Sequence, residues 1–216
     1  MHSQNTAAPA DPAGIERLSF SIIDAEVPEP RPFSGGHWEV ARRLVHTSAD
    51  FELLSLLRFS PGALAAGVNA LRGGATVVTD TRMCLAGIPR RRLDALGCRA
   101  TCFMDDPEVA AEASRLGLTR ARLAVDRAME LDGPLVFAVG NAPTALLRLM
   151  ELMDRGLAVP SLVIGMPVGF VNARESKDLL MERSDAPFIA IQGRKGGSPL
   201  AAATVNALAE LALRAD

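Results

Sequence analysis

The stretch LVFAVGNAPTALLRLMELM at residues 135–153 decides the fold. Leu135–Val139 is a short apolar run, Gly140, Asn141 and Ala142 interrupt it, and apolar side chains return at helical spacing from Pro143 onward. That order reads as a strand passing through a tight turn into a helix. Two more junctions of this kind follow: GMPVGFVNARESK at 165–177 after the run Ser161–Ile164, and GRKGGSP at 193–199 after Phe188–Gln192. Three in succession open on one edge of a parallel sheet, where α/β proteins bind ligands.

Further strands are expected at Thr76–Thr79 and Cys98–Met104. Helical spacing covers Pro89–Leu96, Pro107–Leu116, Arg120–Leu131, Pro143–Arg155, Ala173–Arg183 and Pro199–Arg214. The alternation predicts an α/β fold with a mostly parallel central sheet of about five strands and helices on both faces, in a single domain. Ahead of it, helices are expected over Ala13–Ala25 and His37–Thr47, with PEPRP at 28–32 breaking the chain between them. Phe51–Phe59 fits either a short helix or a strand. Ser60-Pro61 reads as an N-cap followed by proline at the first helical position, opening a helix that runs to Leu71 and stops at Gly73-Gly74. Residues 1–13 are expected to form a disordered tail and 14–216 the domain; the start lacks the charged and apolar regions of a secretory signal.

Composition narrows the function classes. A chain of 216 residues with 49% hydrophobic content can bury a sizeable core. A net charge of −2 provides no field to attract nucleic acid, and with no Tyr and one Trp, base-stacking platforms are not expected. No apolar run approaches the ~20 residues of a membrane span. Cys84, Cys98 and Cys102 are odd in number and lack metal-like spacing; they read as core cysteines of a reduced, cytoplasmic protein.

Several residues could carry chemistry. His46 closes the second helix, with Arg42 and Arg43 one turn back. An imidazole can give or take a proton near neutrality, but a helix-end histidine can equally be a capping neighbour. Asp80, in the loop after Thr76–Thr79, reads as a site residue or as a helix cap. Thr119 is a plausible N-cap, and Arg120 beside it opposes the helix dipole, which suggests an anion from elsewhere. At the three junctions Asn141 can cap, Pro143 takes the first helical position, and Asn172, Arg174, Glu175, Lys177, Arg194, Lys195 and Ser198 supply polar groups around free backbone N–H donors. GRKGGSP departs from G-x-x-x-x-G-K-[ST], and no G-x-G-x-x-G or G-x-S-x-G occurs, so nucleotide binding and serine hydrolysis have little support. Three scattered histidines without C-x-x-C leave no ligand set for a metal.

Taken together, IERLSFSIIDAE at 15–26, RLVHTSADFE at 43–52, FSPGALAAGVNALRGGATVVTDTRM at 59–83, GNAPTALLRLMEL at 140–152, GMPVGFVNARESK at 165–177 and GRKGGSPLAAATVNALA at 193–209 resemble the precorrin-8X methylmutase family. The resemblance spans residues 14 to 210. It implies an isomerase of cobalamin biosynthesis that moves a methyl group from C-11 to C-12 on ring C of a corrinoid. It also implies a homodimer with sites near the subunit interface and no cofactor, any cobalt belonging to the substrate. The family's proton-donating histidine falls on His46, and its polar site positions fall on Ser19, Arg43, Asp80, Thr119 and Arg120, then Asn141, Glu175, Lys177 and Ser198. TSADFE resembles the cobalt-dependent branch of the family, which points to cobalt-precorrin-8. A non-catalytic corrinoid carrier is the competing expectation.

Overall fold

The computed structural model describes residues 11–214. Six strands form one sheet: β1 Leu57–Phe59, β2 Thr76–Thr79, β3 Arg99–Thr101, β4 Leu135–Val139, β5 Leu162–Gly165 and β6 Phe188–Ile191. Their order across the sheet is β1-β6-β5-β4-β2-β3. All neighbours are parallel except β1, which runs antiparallel to β6 at one edge. The chain steps from β2 out to β3, then crosses back over β2 to β4. Strand order therefore reverses between β2 and β4, the point where such sheets open a crevice at their C-terminal ends.

Every residue of β2, β5 and β6 is buried. Strands buried along their whole length belong to a sheet covered on both faces. Alternation still sorts the side chains: in β4, Val136 and Ala138 enter one core, while Phe137 and Val139 enter the other. The first core lies beneath α2 Gly35–Ser48, α4 Ala63–Arg72 and α11 Ser198–Ala212, with α1 Pro12–Glu26, α3 Leu53–Leu56, α5 Arg82–Ala86 and α6 Arg90–Ala95 on the same side. The second lies beneath α8 Arg120–Ala128, α9 Pro143–Asp154 and α10 Ala173–Met181, and α7 Pro107–Leu116 packs on α8. Helix α11 is the hub of the first side. Its buried alanines let neighbours approach closely, and a side chain at Gly87 would place Cβ 2.9 Å from Ala202 Cβ.

An ionic network fastens the outer helices to this hub. Arg43 of α2 is buried between Glu16 of α1 at 3.0 Å and Glu210 of α11 at 2.6 Å, and Arg92 of α6 reaches the same Glu210. No helix among the described residues is long and apolar enough to cross a membrane.

Several boundaries differ from the sequence reading. Asp11 caps α1 through the Gly14 amide, and Pro12 starts the helix, so structure begins before residue 14; residues 1–10 lie outside the described range. Phe51–Phe59 is both alternatives in turn, α3 and then β1, and this adds the sixth strand. Ser60 does not cap α4. Its hydroxyl accepts the Phe188 amide at 2.8 Å, and the helix opens instead after Gly62. β3 stops at Thr101 because Phe103 and Met104 turn under α7 and α8 to join a small apolar cluster there.

Candidate active site at the strand ends

The three glycine junctions follow β4, β5 and β6, and they lock into a single surface. A side chain at Gly140 would put Cβ 2.6 Å from Ser198 Cα, so the first junction can touch the third only through glycine. Gly197 donates its N–H to the Met166 carbonyl at 2.8 Å, and Gly169 donates to the Arg194 carbonyl at 3.2 Å. Thr81, the N-cap of α5, shares a 2.7 Å hydrogen bond with Ser198.

Asp80 stands at the switch point between β2 and β4. Its carboxylate accepts the N–H groups of Gly140 at 2.9 Å, Asn141 at 2.7 Å and Ala142 at 2.6 Å. Burial pushes its pKa up, and those three donors oppose the shift. Asp80 is thus a cap, but for α9, sixty residues away, in place of the expected Asn141. Thr119 caps α8 through the Arg122 amide at 3.3 Å and donates its hydroxyl to Thr144 at 2.9 Å. Arg120 is exposed at the start of α8 and forms no ion pair among the described residues; Asn141 and Glu175 are exposed as well.

His46 lies in the last turn of α2, half-buried. Its Nδ1 is 2.7 Å from Ser19 Oγ of α1, and its ring meets Phe20 edge-on with centroids 5.2 Å apart. Beside it opens a cavity of about 300 Å³ lined by Ile15, Leu18, Ser19, Ile22, Val45 and Phe51. The lining is mainly apolar, with Glu26 the one carboxylate on it among the described residues. Arg42 and Arg43 stack on Phe20 at 4.6 and 5.2 Å, and their guanidinium groups are committed to Asp24 and to the Glu16–Glu210 pair.

One ion-pair cluster links the histidine helix to the strand ends. Lys195, in the third junction, holds Asp50 at 2.6 Å and Glu52 at 2.7 Å, just beyond the end of α2. The Lys195 hydrogen bond draws the Asp50 carboxyl below its usual range. Lys177 lies beneath the same junction, its ammonium donating to the Lys195 carbonyl at 2.6 Å.

The expected site residues therefore fall into groups. His46 and Ser19 meet at the α1–α2 seam. Asp80, Asn141, Thr119 and Ser198 gather around the ends of β2 and β4, with Lys177 under the third junction. Arg43 sits in the ionic network, and Arg120 and Glu175 face solvent. The sequence reading passed over two features. Phe170 is 83% exposed, with the Arg194 guanidinium 5.4 Å over its ring, and Val171 beside it is 79% exposed. Along α1, Ile15, Leu18 and Ile22 form an exposed apolar stripe. The visible cues were GFV inside a glycine turn and the spacing of Ile15, Leu18 and Ile22 along one helix face.

Fold and site together define a doubly wound α/β protein whose ligand surface combines backbone-rich loops with an apolar, histidine-bearing cleft. Comparison with known proteins makes this specific. The precorrin-8X methylmutase family profile matches residues 14–211. Cobalt-precorrin-8 methylmutase of Priestia megaterium is 44% identical over 202 residues, covering 93% of this chain and 88% of the relative. Precorrin-8X methylmutase of Pseudomonas aeruginosa is 43% identical, covering 92% of this chain and 95% of the relative. The solved precorrin-8x methyl mutase from Thermus thermophilus superposes with a TM-score of 0.83 at 46% identity, covering 92% and 96% of the two chains. The chain belongs to the precorrin-8X methylmutase family.

Proposed function

We propose that this chain is an intramolecular isomerase of cobalamin biosynthesis that moves the C-11 methyl group to C-12 on ring C of cobalt-precorrin-8, giving cobyrinate. Metal-free precorrin-8X, giving hydrogenobyrinate, is the counterpart reaction. The observation that carries the reading is the Ser19–His46 pair opening into an apolar cleft, in a chain of this family. The TSADFE segment favours the cobalt-bearing substrate, in which the metal travels as part of the macrocycle.

The chemistry asks little more of the protein than a positioned proton. In the imidazolium form Nδ1–H donates to Ser19 Oγ, and Nε2–H faces outward as the acid, leaving a neutral imidazole once its proton is delivered. Delivered to a nitrogen near ring C, that proton withdraws electron density from the conjugated system. The bond from the methyl group to C-11 then breaks as the bond to C-12 forms, and the proton is returned. Nothing is oxidised or reduced. An apolar cleft suits the flat macrocycle, while the exposed guanidinium groups of Arg120 and Arg194 suit its carboxylates.

A cavity of about 300 Å³ is at the lower end for small-molecule sites and holds one edge of such a ring. A second copy covering the α1 stripe would enclose the remainder, so we assign a cytoplasmic homodimer with sites near the subunit boundary. The test is anaerobic incubation of each substrate form with substoichiometric protein, followed by absorption and mass analysis. Conversion of many equivalents supports the enzyme; one equivalent marks a carrier. His46→Ala is expected to lose about 10²–10⁴-fold in turnover while still binding corrinoid. A fully active variant refutes the assignment.

A further inference from the structure

Lys177 is a buried ammonium that pairs with no carboxylate among the described residues. No part of the residue reaches solvent, and among the described residues its hydrogen-bond partner is the Lys195 carbonyl. The adjacent acid, Asp178, is engaged by Arg174 at 3.2 Å. An ammonium has three protons to donate. Taking it out of water for one neutral acceptor costs more than that bond returns. Burial accordingly lowers its pKa to about 8. A methionine of similar length would fill the space without this cost, so the charge serves something other than stability.

What it grips is the backbone of the third junction, a loop weak in intrinsic stiffness because Gly193, Gly196 and Gly197 all have positive φ. From the same residue whose carbonyl is held, the Lys195 side chain reaches Asp50 and Glu52. Asp50 follows His46 by four residues, at the end of the helix that presents the imidazole. We propose that Lys177 is a positioning residue for the His46 site: by clamping the Lys195 carbonyl it aims the Lys195 side chain, which in turn holds the end of α2. This rests on His46 being the proton donor.

The test uses the full chain with Lys177→Met, Lys177→Ala, Lys195→Met, the Lys177→Met/Lys195→Met double variant and His46→Ala. Lys177→Met is expected to keep or raise Tm, by a few degrees at most, to lower kcat about tenfold with KM little changed, and to shift the His46 ring signals in NMR spectra. A small alkylamine added to Lys177→Ala is expected to restore part of kcat by returning an N–H donor to the cavity. The double variant is expected to be no slower than the worse single variant, because both break one tether. Wild-type kcat in Lys177→Met, a joint loss of Tm and activity, or additive losses in the double variant would each overturn the inference. If His46→Ala is inactive and Lys177→Met is fully active, the inference fails alone. If His46→Ala remains active, the underlying mechanism fails.

Discussion

Ser19 Oγ lies 2.7 Å from His46 Nδ1 across the seam between α1 and α2. That bond selects which ring nitrogen is left to face the cleft. Ser19→Ala frees the imidazole to rotate and to exchange tautomers. We expect kcat to fall about tenfold, with corrinoid affinity nearly unchanged, in steady-state assays. An equal loss in kcat/KM through KM alone would assign Ser19 to binding instead.

Asp80 ties β2 to the start of α9 through three backbone donors. Asp80→Ala leaves those donors without an acceptor. The expected loss is about 2–3 kcal/mol, or roughly 5–10 °C in Tm by calorimetry. Millimolar sulfate should recover part of that loss in the variant and have no such effect on the wild type, because only the variant has a vacant anion seat.

Stability should respond to alkali through Lys177. Its folded pKa of about 8 lies below the ordinary value of 10.5. The unfolded chain therefore binds more protons than the folded one between these values, and stability rises with pH across that window. Below pH 8 the penalty is fully present. The Tm advantage of Lys177→Met over wild type should be largest there and shrink as pH approaches 10.5. A pH-independent difference would mean that the ammonium, flanked by Asp178 and the Lys195 carbonyl, is not the source.

The exposed Ile15, Leu18 and Ile22 stripe makes the proposed dimer testable. Ile22→Glu places a charge on that stripe. Light scattering should show the dimer giving way to monomer, with activity lost in parallel. A wild-type chain that is monomeric at assay concentration would remove the second copy from the proposal.

Much of the architecture was legible because strand burial and helix periodicity are local signals. Leu135–Val139, Pro107–Leu116 and the three glycine junctions all occur where the apolar pattern places them. What escaped was set by contacts distant in sequence. Ser60 looks like a cap until Phe188 arrives to claim its hydroxyl, and Asn141 looks like one until Asp80 supplies a stronger acceptor. The short helix α5 was missed because Thr81 caps a single turn and a half, too brief for any period to register. The site was legible in residue types but not in their grouping. Arg43 stands three residues from His46, yet its guanidinium turns toward Glu16 and Glu210, partners 27 and 167 positions away. No spacing rule anticipates that choice.

The internal carboxylate at the head of α9 has one more effect. In most doubly wound proteins the amides there are the docking berth for a nucleotide's phosphates. Here the berth is filled when the chain folds, by a group that no incoming metabolite can displace without dismantling the β2–β4 join. An acidic guest is consequently denied those three amides, whatever other part of the surface receives it.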